Sequence, residues 1–139
     1  MKILLDTNIV LDLLLKREPF CNDALEIFSF IETQEVKAYL CATTITTIYY
    51  LISKQLGKSK ADKIIEDILQ LFNISDVNKD VLKDSIKNNG KDFEDSVIYT
   101  SAKYSQIDII ISRDKKGFTK SEILTLEPKE FLASLVQNN

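Results

Sequence analysis

The chain has 139 residues, a formal net charge of −3, and 45% hydrophobic and 28% charged residues. That balance fits one globular domain spanning residues 1–139, and it argues against a broad basic surface for non-specific nucleic-acid binding. With no histidine, imidazole acid–base catalysis, Ser-His-Asp and Cys-His systems and most zinc sites are excluded.

The first segment, MKILLDTNIVLDLLLKR, has a lysine and a leucine-rich run, but Asp6 and Asp12 interrupt it and no small-residue cleavage site follows. No stretch reaches the ~18 apolar residues of a membrane span, so a cytoplasmic protein is expected. KILLD, Lys2 to Asp6, reads as a buried parallel strand ending on a carboxylate. Helical spacing from Asn8 to Lys16 stops at Glu18-Pro19, and Pro19 suits the first turn of a second helix carrying Ala24, Leu25, Phe28 and Ile31. VKAYLCA, Val36 to Ala42, is a second strand. Thr43 to Gly57 mixes β-branched residues with helical spacing and is read as a helix ending at Gly57.

Ser59 to Phe72 is an amphipathic helix, with Ser59 as N-cap and Ile64, Ile65, Ile68, Leu69 and Phe72 inward. An extended piece at Asn73 to Val77 precedes a helix from about Asn78 to Asn88. An acidic helix runs from Asp92 to Tyr104, followed by IDIIIS, Ile107 to Ser112, the most strand-like segment. RDKKGF is a loop, Glu122 to Leu126 a last strand and Pro128 to Val136 a last helix. Alternating strands and helices imply a parallel sheet of four to five strands with helices on both faces, an α/β fold. Cys21 and Cys41 read as buried thiols rather than a disulfide. Gly57, Gly90 and Gly117 are isolated, so no phosphate-cradling glycine loop is present.

In such a sheet, ligands bind at the carboxyl ends of the strands. Asp6 closes the first strand, Asp114 follows the late strand by two residues, and Asp92 and Asp95 open the acidic helix. Positions i and i+3 lie roughly 60° apart around a helix, so Asp92 and Asp95 can face one way, while Glu94, roughly 100° from Asp95, points elsewhere. Each acid also has a purely structural reading: Asp92 as an N-cap, Asp95 facing the helix dipole, Asp6 with Asn8 as a cap, Asp114 as a turn former. Carboxylates about 4 Å apart repel by about 1 kcal/mol in water and about 4 at intermediate dielectric. Gathered in one cleft, they hold protons or bind a cation. Oxygen ligands favour Mg²⁺ or Mn²⁺, which activates water for phosphodiester cleavage without imidazole.

LLDTNIVLDLL (Leu4 to Leu14), DFEDSVIYTSA (Asp92 to Ala102) and IIISRDKKGF (Ile109 to Phe118) resemble, in this order and spacing, the PIN-domain ribonucleases, the fold of many toxin–antitoxin toxins. The resemblance implies a three-layer α/β/α sandwich and a Mg²⁺- or Mn²⁺-dependent endoribonuclease acting on RNA. It assigns Asp6, Asp95 and Asp114 as catalytic metal ligands, with Asn8 as the companion of Asp6, Asp92 as an auxiliary acid and Ser112 as a phosphate or water contact. An antitoxin partner and a homodimer are implied in the same way. Such ribonucleases usually carry a glutamate on the helix after the second strand. Here no carboxylate occurs between Glu35 and Asp62, so either Asp92 substitutes or the metal binds more weakly.

Arg113, Lys115 and Lys116 flank Asp114 and are candidates for RNA phosphate contacts, whereas Lys54, Lys58, Lys60 and Lys63 read as a solvated surface. Thr43, Thr44, Thr46 and Thr47 read as capping hydroxyls. Tyr49, Tyr50, Tyr99 and Tyr104 read as core or dimer contacts rather than base-stacking platforms. Two alternatives stand beside the nuclease. A haloacid-dehalogenase-type phosphatase needs a second aspartate where this chain has Asn8. A catalytically weak or inactive RNA-binding or protein-interaction module of the same fold is consistent with the missing glutamate.

Overall fold

The computed structural model describes residues 1–33, 35–87, 92–118 and 122–137. In chain order these form β1 (Lys2–Leu5), α1 (Thr7–Leu14), α2 (Cys21–Glu32), β2 (Lys37–Cys41), α3 (Ala42–Leu56) and α4 (Lys58–Leu71). There follow β3 (Asn73–Ser75), α5 (Lys79–Lys87), α6 (Phe93–Tyr104), β4 (Ile109–Ile111), a 3₁₀ turn (Lys115–Phe118), β5 (Leu124–Leu126) and α7 (Pro128–Gln137). No helix among the described residues is long and apolar enough to cross a membrane.

The five strands form one parallel sheet in the order β3-β2-β1-β4-β5. Because successive strand side chains point to opposite faces, the sheet feeds two cores. Ile3, Leu5, Ala38, Leu40 and Ile111 pack with α1, α2, α3, α4 and α7. Leu4, Cys41 and Ile110 pack on the other side with Val81 of α5, Val97, Ile98 and Ala102 of α6, and Phe118. The result is the expected α/β/α sandwich. Apolar runs such as KILL and III are continuous because both faces are covered.

Several boundaries differ from the sequence reading for identifiable reasons. Pro19 lies before α2 rather than in its first turn: the Arg17 carbonyl accepts from both the Phe20 and Cys21 N–H groups, and the helix starts only after that turn. Ser59 lies inside α4 rather than capping it. Gly57, at φ +91°, ends α3 and starts α4 with no loop between, a backbone that an L side chain resists. Leu69 is exposed, because the inner stripe of α4 runs through Ala61 and Ile68 towards Phe72. Both thiols are free, Cys41 buried but Cys21 only half-buried.

What matters for a site is where the chain changes direction across the sheet. β1 pairs with β2 on one side, and the chain continues outward to β3; it then returns to lay β4 on the other side of β1. The crevice therefore opens beyond the carboxyl ends of β1 and β4.

Candidate active site

Asp6 follows β1 directly and is at the same time the N-cap of α1, its Oδ1 accepting from the Thr7 N–H at 2.8 Å. Its own N–H donates to the Ile111 carbonyl of β4, and its Oδ2 accepts from Ser112 Oγ at 2.7 Å. The fully buried Ser112 hydroxyl also accepts from the Asp114 N–H at 3.0 Å. One hydroxyl thus ties the end of β1 to the turn after β4. Burial pushes the Asp6 carboxyl up, the Ser112 and Thr7 hydrogen bonds pull it back, and the charges of Asp114 and Glu94 add to the rise.

From the other side, Asp92 caps α6, accepting from the Glu94 N–H at 2.9 Å. Asp95, half-buried in the first turn, has its carboxyl pushed up to about 6, first by burial and then by the charges of Asp6, Asp92, Asp114 and Glu94. The 3₁₀ turn presses against it: a Cβ on Gly117 would lie 2.5 Å from Asp95 Oδ2 and 3.2 Å from its Cγ. Only a glycine allows that approach.

Glu94 departs from its expected direction. It faces the same cleft, adding charge against both Asp6 and Asp95, and its Oε1 accepts from Thr47 Oγ1 of α3 at 3.4 Å. The angle between Cβ positions on a helical wheel does not capture a long side chain reaching across to a neighbouring helix end. That end is held close, since buried Thr44 of α3 bonds Thr7 of α1 through their hydroxyls at 2.8 Å. Three separated segments thus bring five carboxylates into one electrostatic neighbourhood at the sheet's switch point.

Residues 2–116 match the sequence model of the PIN domain. The chain belongs to the PIN domain family. It is also similar to ribonuclease VapC1 of Aquifex aeolicus, with 26% identity over 132 residues and 91% of each protein covered. Among solved structures it resembles VapBC-1 from nontypeable Haemophilus influenzae, at a TM-score of 0.71 and 16% identity, covering 93% of this chain and 99% of that one. A toxin–antitoxin complex from Klebsiella pneumoniae gives a TM-score of 0.68 at 20% identity, covering 91% of this chain and 97% of that one. At such identities the structural likeness speaks to the PIN fold.

Within this PIN domain the remaining sequence candidates take different places. Asn8 is exposed in the first turn of α1, and both Asp6 oxygens are engaged by Thr7 and Ser112 instead. The expected contact of Ser112 with phosphate or water gives way to a positioning role, since its hydroxyl is buried between Asp6 and Asp114. Exposed Asp114 accepts from the Lys116 N–H through Oδ1 at 3.1 Å. Arg113, expected to meet an RNA backbone, is turned to Asp12 in a two-point ion pair of 2.6 and 3.1 Å and lies over the Phe20 ring. Lys115 pairs with Glu130 of α7 at 2.5 Å. Tyr49 hydroxyl donates to Asp62, Tyr99 accepts from the Glu122 N–H, Tyr104 donates to Asp84, and exposed Tyr50 lies under Lys54.

The donor set of the PIN site is oxygen only, which suits a hard divalent cation. Among the described residues, no three carboxylates are gathered closely enough to grip an ion as they stand. The expected three-carboxylate cage is therefore not preformed. Mg²⁺ does not require one: it commonly keeps several waters and takes one or two carboxylates directly. The oxygen-only donors are chemically suited to such an ion but are not arranged to hold it.

The raised Asp95 carboxyl, pushed up first by burial and then by its charged neighbours, sets a stability prediction. A carboxyl whose pKa rises on folding favours the folded state at low pH, and that contribution is lost as pH climbs from 3.8 towards about 6. Asp95→Asn is therefore expected to raise the melting temperature of the metal-free protein at pH 7, by ~4 °C for an effect of order 1 kcal/mol. The gain should fade as pH drops to about 4, where the parent carboxyl protonates. Thermal melts in chelator across that range check this; a pH-independent difference would contradict it.

Proposed function

We propose that this PIN domain is a Mg²⁺- or Mn²⁺-dependent endoribonuclease and the cytoplasmic toxin of a toxin–antitoxin pair. The observation that supports the reading is that the charges of Asp6 and Asp114, far away in sequence, reach Asp95 at the carboxyl edge of the sheet, with the three carboxylates not gathered into a preformed cage. The likeness to a protein named ribonuclease VapC1 supports RNA as substrate, and the likeness to a toxin–antitoxin complex supports an antitoxin partner. A homodimer is part of the same proposal.

Asp6, Asp95 and Asp114 would hold the cation, which when bound polarises a phosphoryl oxygen and lowers the pKa of a water. The chain's own contribution is placement. Ser112 Oγ and the Thr7 N–H fix both Asp6 oxygens. Asp92 fixes the start of α6 and so the direction of Asp95. Gly117, having no Cβ, leaves the space that the Asp95 carboxylate occupies. Lys115 and Lys116 stand on the rim beside Asp114, where an incoming phosphate would compete with Glu130 for Lys115.

The test is incubation of purified protein with RNA and Mn²⁺. Cleavage is expected from the parent, is removed by chelator, and is lost in Asp6→Asn. Equal residual cleavage by parent and variant would mark a contaminant and favour the inactive binding module, which the open spacing of the carboxylates also suits. Gly117→Ala supplies a further check. Its methyl displaces the Asp95 carboxylate, so cleavage is expected to fall roughly tenfold or more, in line with losses on disturbing groups that orient metal ligands, while the melting temperature moves little.

A further inference from the structure

α3 starts where β2 ends, at the carboxyl edge of the sheet, and its first turns are held beside the acidic cleft by the Thr44–Thr7 hydroxyl pair. Around this helix Thr47, Tyr50 and Lys54 fall within about 60° of one another, a stripe about 10 Å long leading away from the cleft. Tyr50, expected from the sequence to be a core or dimer contact, is 56% exposed. The Lys54 ammonium lies over one face of its ring, 4.7 Å from the centroid. The residues three and four positions from Tyr50, its neighbours on the helix surface, are Thr46, Thr47, Ser53 and Lys54. The ring therefore stands among polar side chains. That is poor ground for a protein partner or a second copy, whose interfaces bury an apolar centre.

The rim cations Arg113 and Lys115 are already paired, with Asp12 and Glu130, and on α4 Lys58 and Lys63 pair with Asp62 and Asp67. Among the described residues no carboxylate pairs with Lys54, whose ammonium has the Tyr50 ring instead. A polyanion that approaches five carboxylates on a chain of net charge −3 gains little from overall attraction. Stacking on an aromatic face does not depend on charge, and a lysine beside it supplies the phosphate contact. We propose that the Tyr50–Lys54 pair holds single-stranded RNA beside the cleft, one base stacked on the open face of Tyr50 and the adjoining phosphate on Lys54. This rests on the ribonuclease reading above, to which it adds a substrate class. The strand is unpaired, because a base inside a duplex has no free face to offer.

The test is the affinity of a fluorescein-labelled single-stranded oligoribonucleotide, read by fluorescence anisotropy in chelator so that no strand is cut. Tyr50→Leu is expected to weaken binding roughly tenfold, and Tyr50→Phe to keep it, since the ring and not the hydroxyl is used. Lys54→Gln is expected to weaken it by a smaller factor and to lower the slope of log affinity against log salt by about 0.7, as for one phosphate contact on a single strand. Both side chains are exposed, so melting temperatures should match the parent. Parent-like affinity in Tyr50→Leu would overturn the inference, and so would an equal loss in Tyr50→Phe. A Tyr50→Leu variant that changes its sedimentation coefficient but not its RNA affinity would overturn it in favour of a contact between copies. Cleavage in Mn²⁺ by the same proteins separates the two levels. A raised KM with kcat kept is expected from Tyr50→Leu; if the parent cuts RNA and the variant keeps its KM, the ribonuclease stands and only the role of Tyr50 falls. A parent that neither binds nor cuts RNA removes both.

Discussion

Replacing Asp6 by asparagine is expected to lower RNA cleavage by about two orders of magnitude or more, equivalent to ~3 kcal/mol of barrier, while leaving the protein folded. The fold should survive because the change is nearly isosteric and its hydrogen bonds can be kept. The asparagine oxygen still accepts from the Thr7 N–H. Its amide faces Ser112 Oγ, whose own hydrogen can turn to the Asp114 carbonyl 3.3 Å away. Burial already works against the Asp6 charge, so its removal should not destabilise the metal-free protein. Activity should fall because a neutral amide cannot hold a cation against its hydration shell. Single-turnover cleavage in Mn²⁺, set beside thermal melts of parent and variant, separates the two effects. An active Asp6→Asn variant would remove the centre of the proposed mechanism.

The largest effect on stability is expected elsewhere, at Arg113. Asp12 is only 1% exposed and accepts two hydrogen bonds from the Arg113 guanidinium, with Arg17 at 3.8 Å as a distant second cation. Removing one partner of a buried pair leaves an uncompensated charge, which typically costs about 3–5 kcal/mol. Arg113→Ala also uncovers the Phe20 ring. Loss of ~3 kcal/mol should lower the melting temperature by roughly 10 °C. Neutralising both partners, as Asp12→Leu with Arg113→Leu, should lose less than the single change, because no stranded charge remains. Urea titration of the three proteins checks the order. A single variant as stable as the parent would show that Asp12 finds its compensation in Arg17.

Much of this architecture is legible in the sequence because the relevant signals are local. KILLD and IDIIIS read as strands since a sheet covered on both faces demands continuous apolar runs. The helices announce themselves by period, and α3 was separable from a strand because no turn interrupts it. Asp6, Asp95 and Asp114 could be placed at one edge from strand polarity alone.

What escaped is what depends on long-range contact or on side-chain reach. Nothing local couples Asp12 to Arg113, 101 residues away. Helical projection misplaced Glu94 because it locates Cβ atoms and says little about where a glutamate terminus lies. Gly117 looked like an ordinary loop glycine, its requirement visible only once the Asp95 carboxylate lies against it. Ser112 was singled out for the right neighbourhood but for contact with a ligand, whereas its hydroxyl is consumed inside the protein.

The placement of β1 between β2 and β4 has a consequence for synthesis. The strand made first sits in the middle of the sheet, and one of its two flanks stays bare until residues 109 to 111 emerge. Ser112, which anchors the Asp6 carboxylate, arrives later still. A polypeptide still on the ribosome with its last third missing therefore carries no assembled centre, and the contacts that complete it are among the slowest kind to form. For an enzyme that would cut RNA, translation itself withholds the competent form until most of the chain has been made.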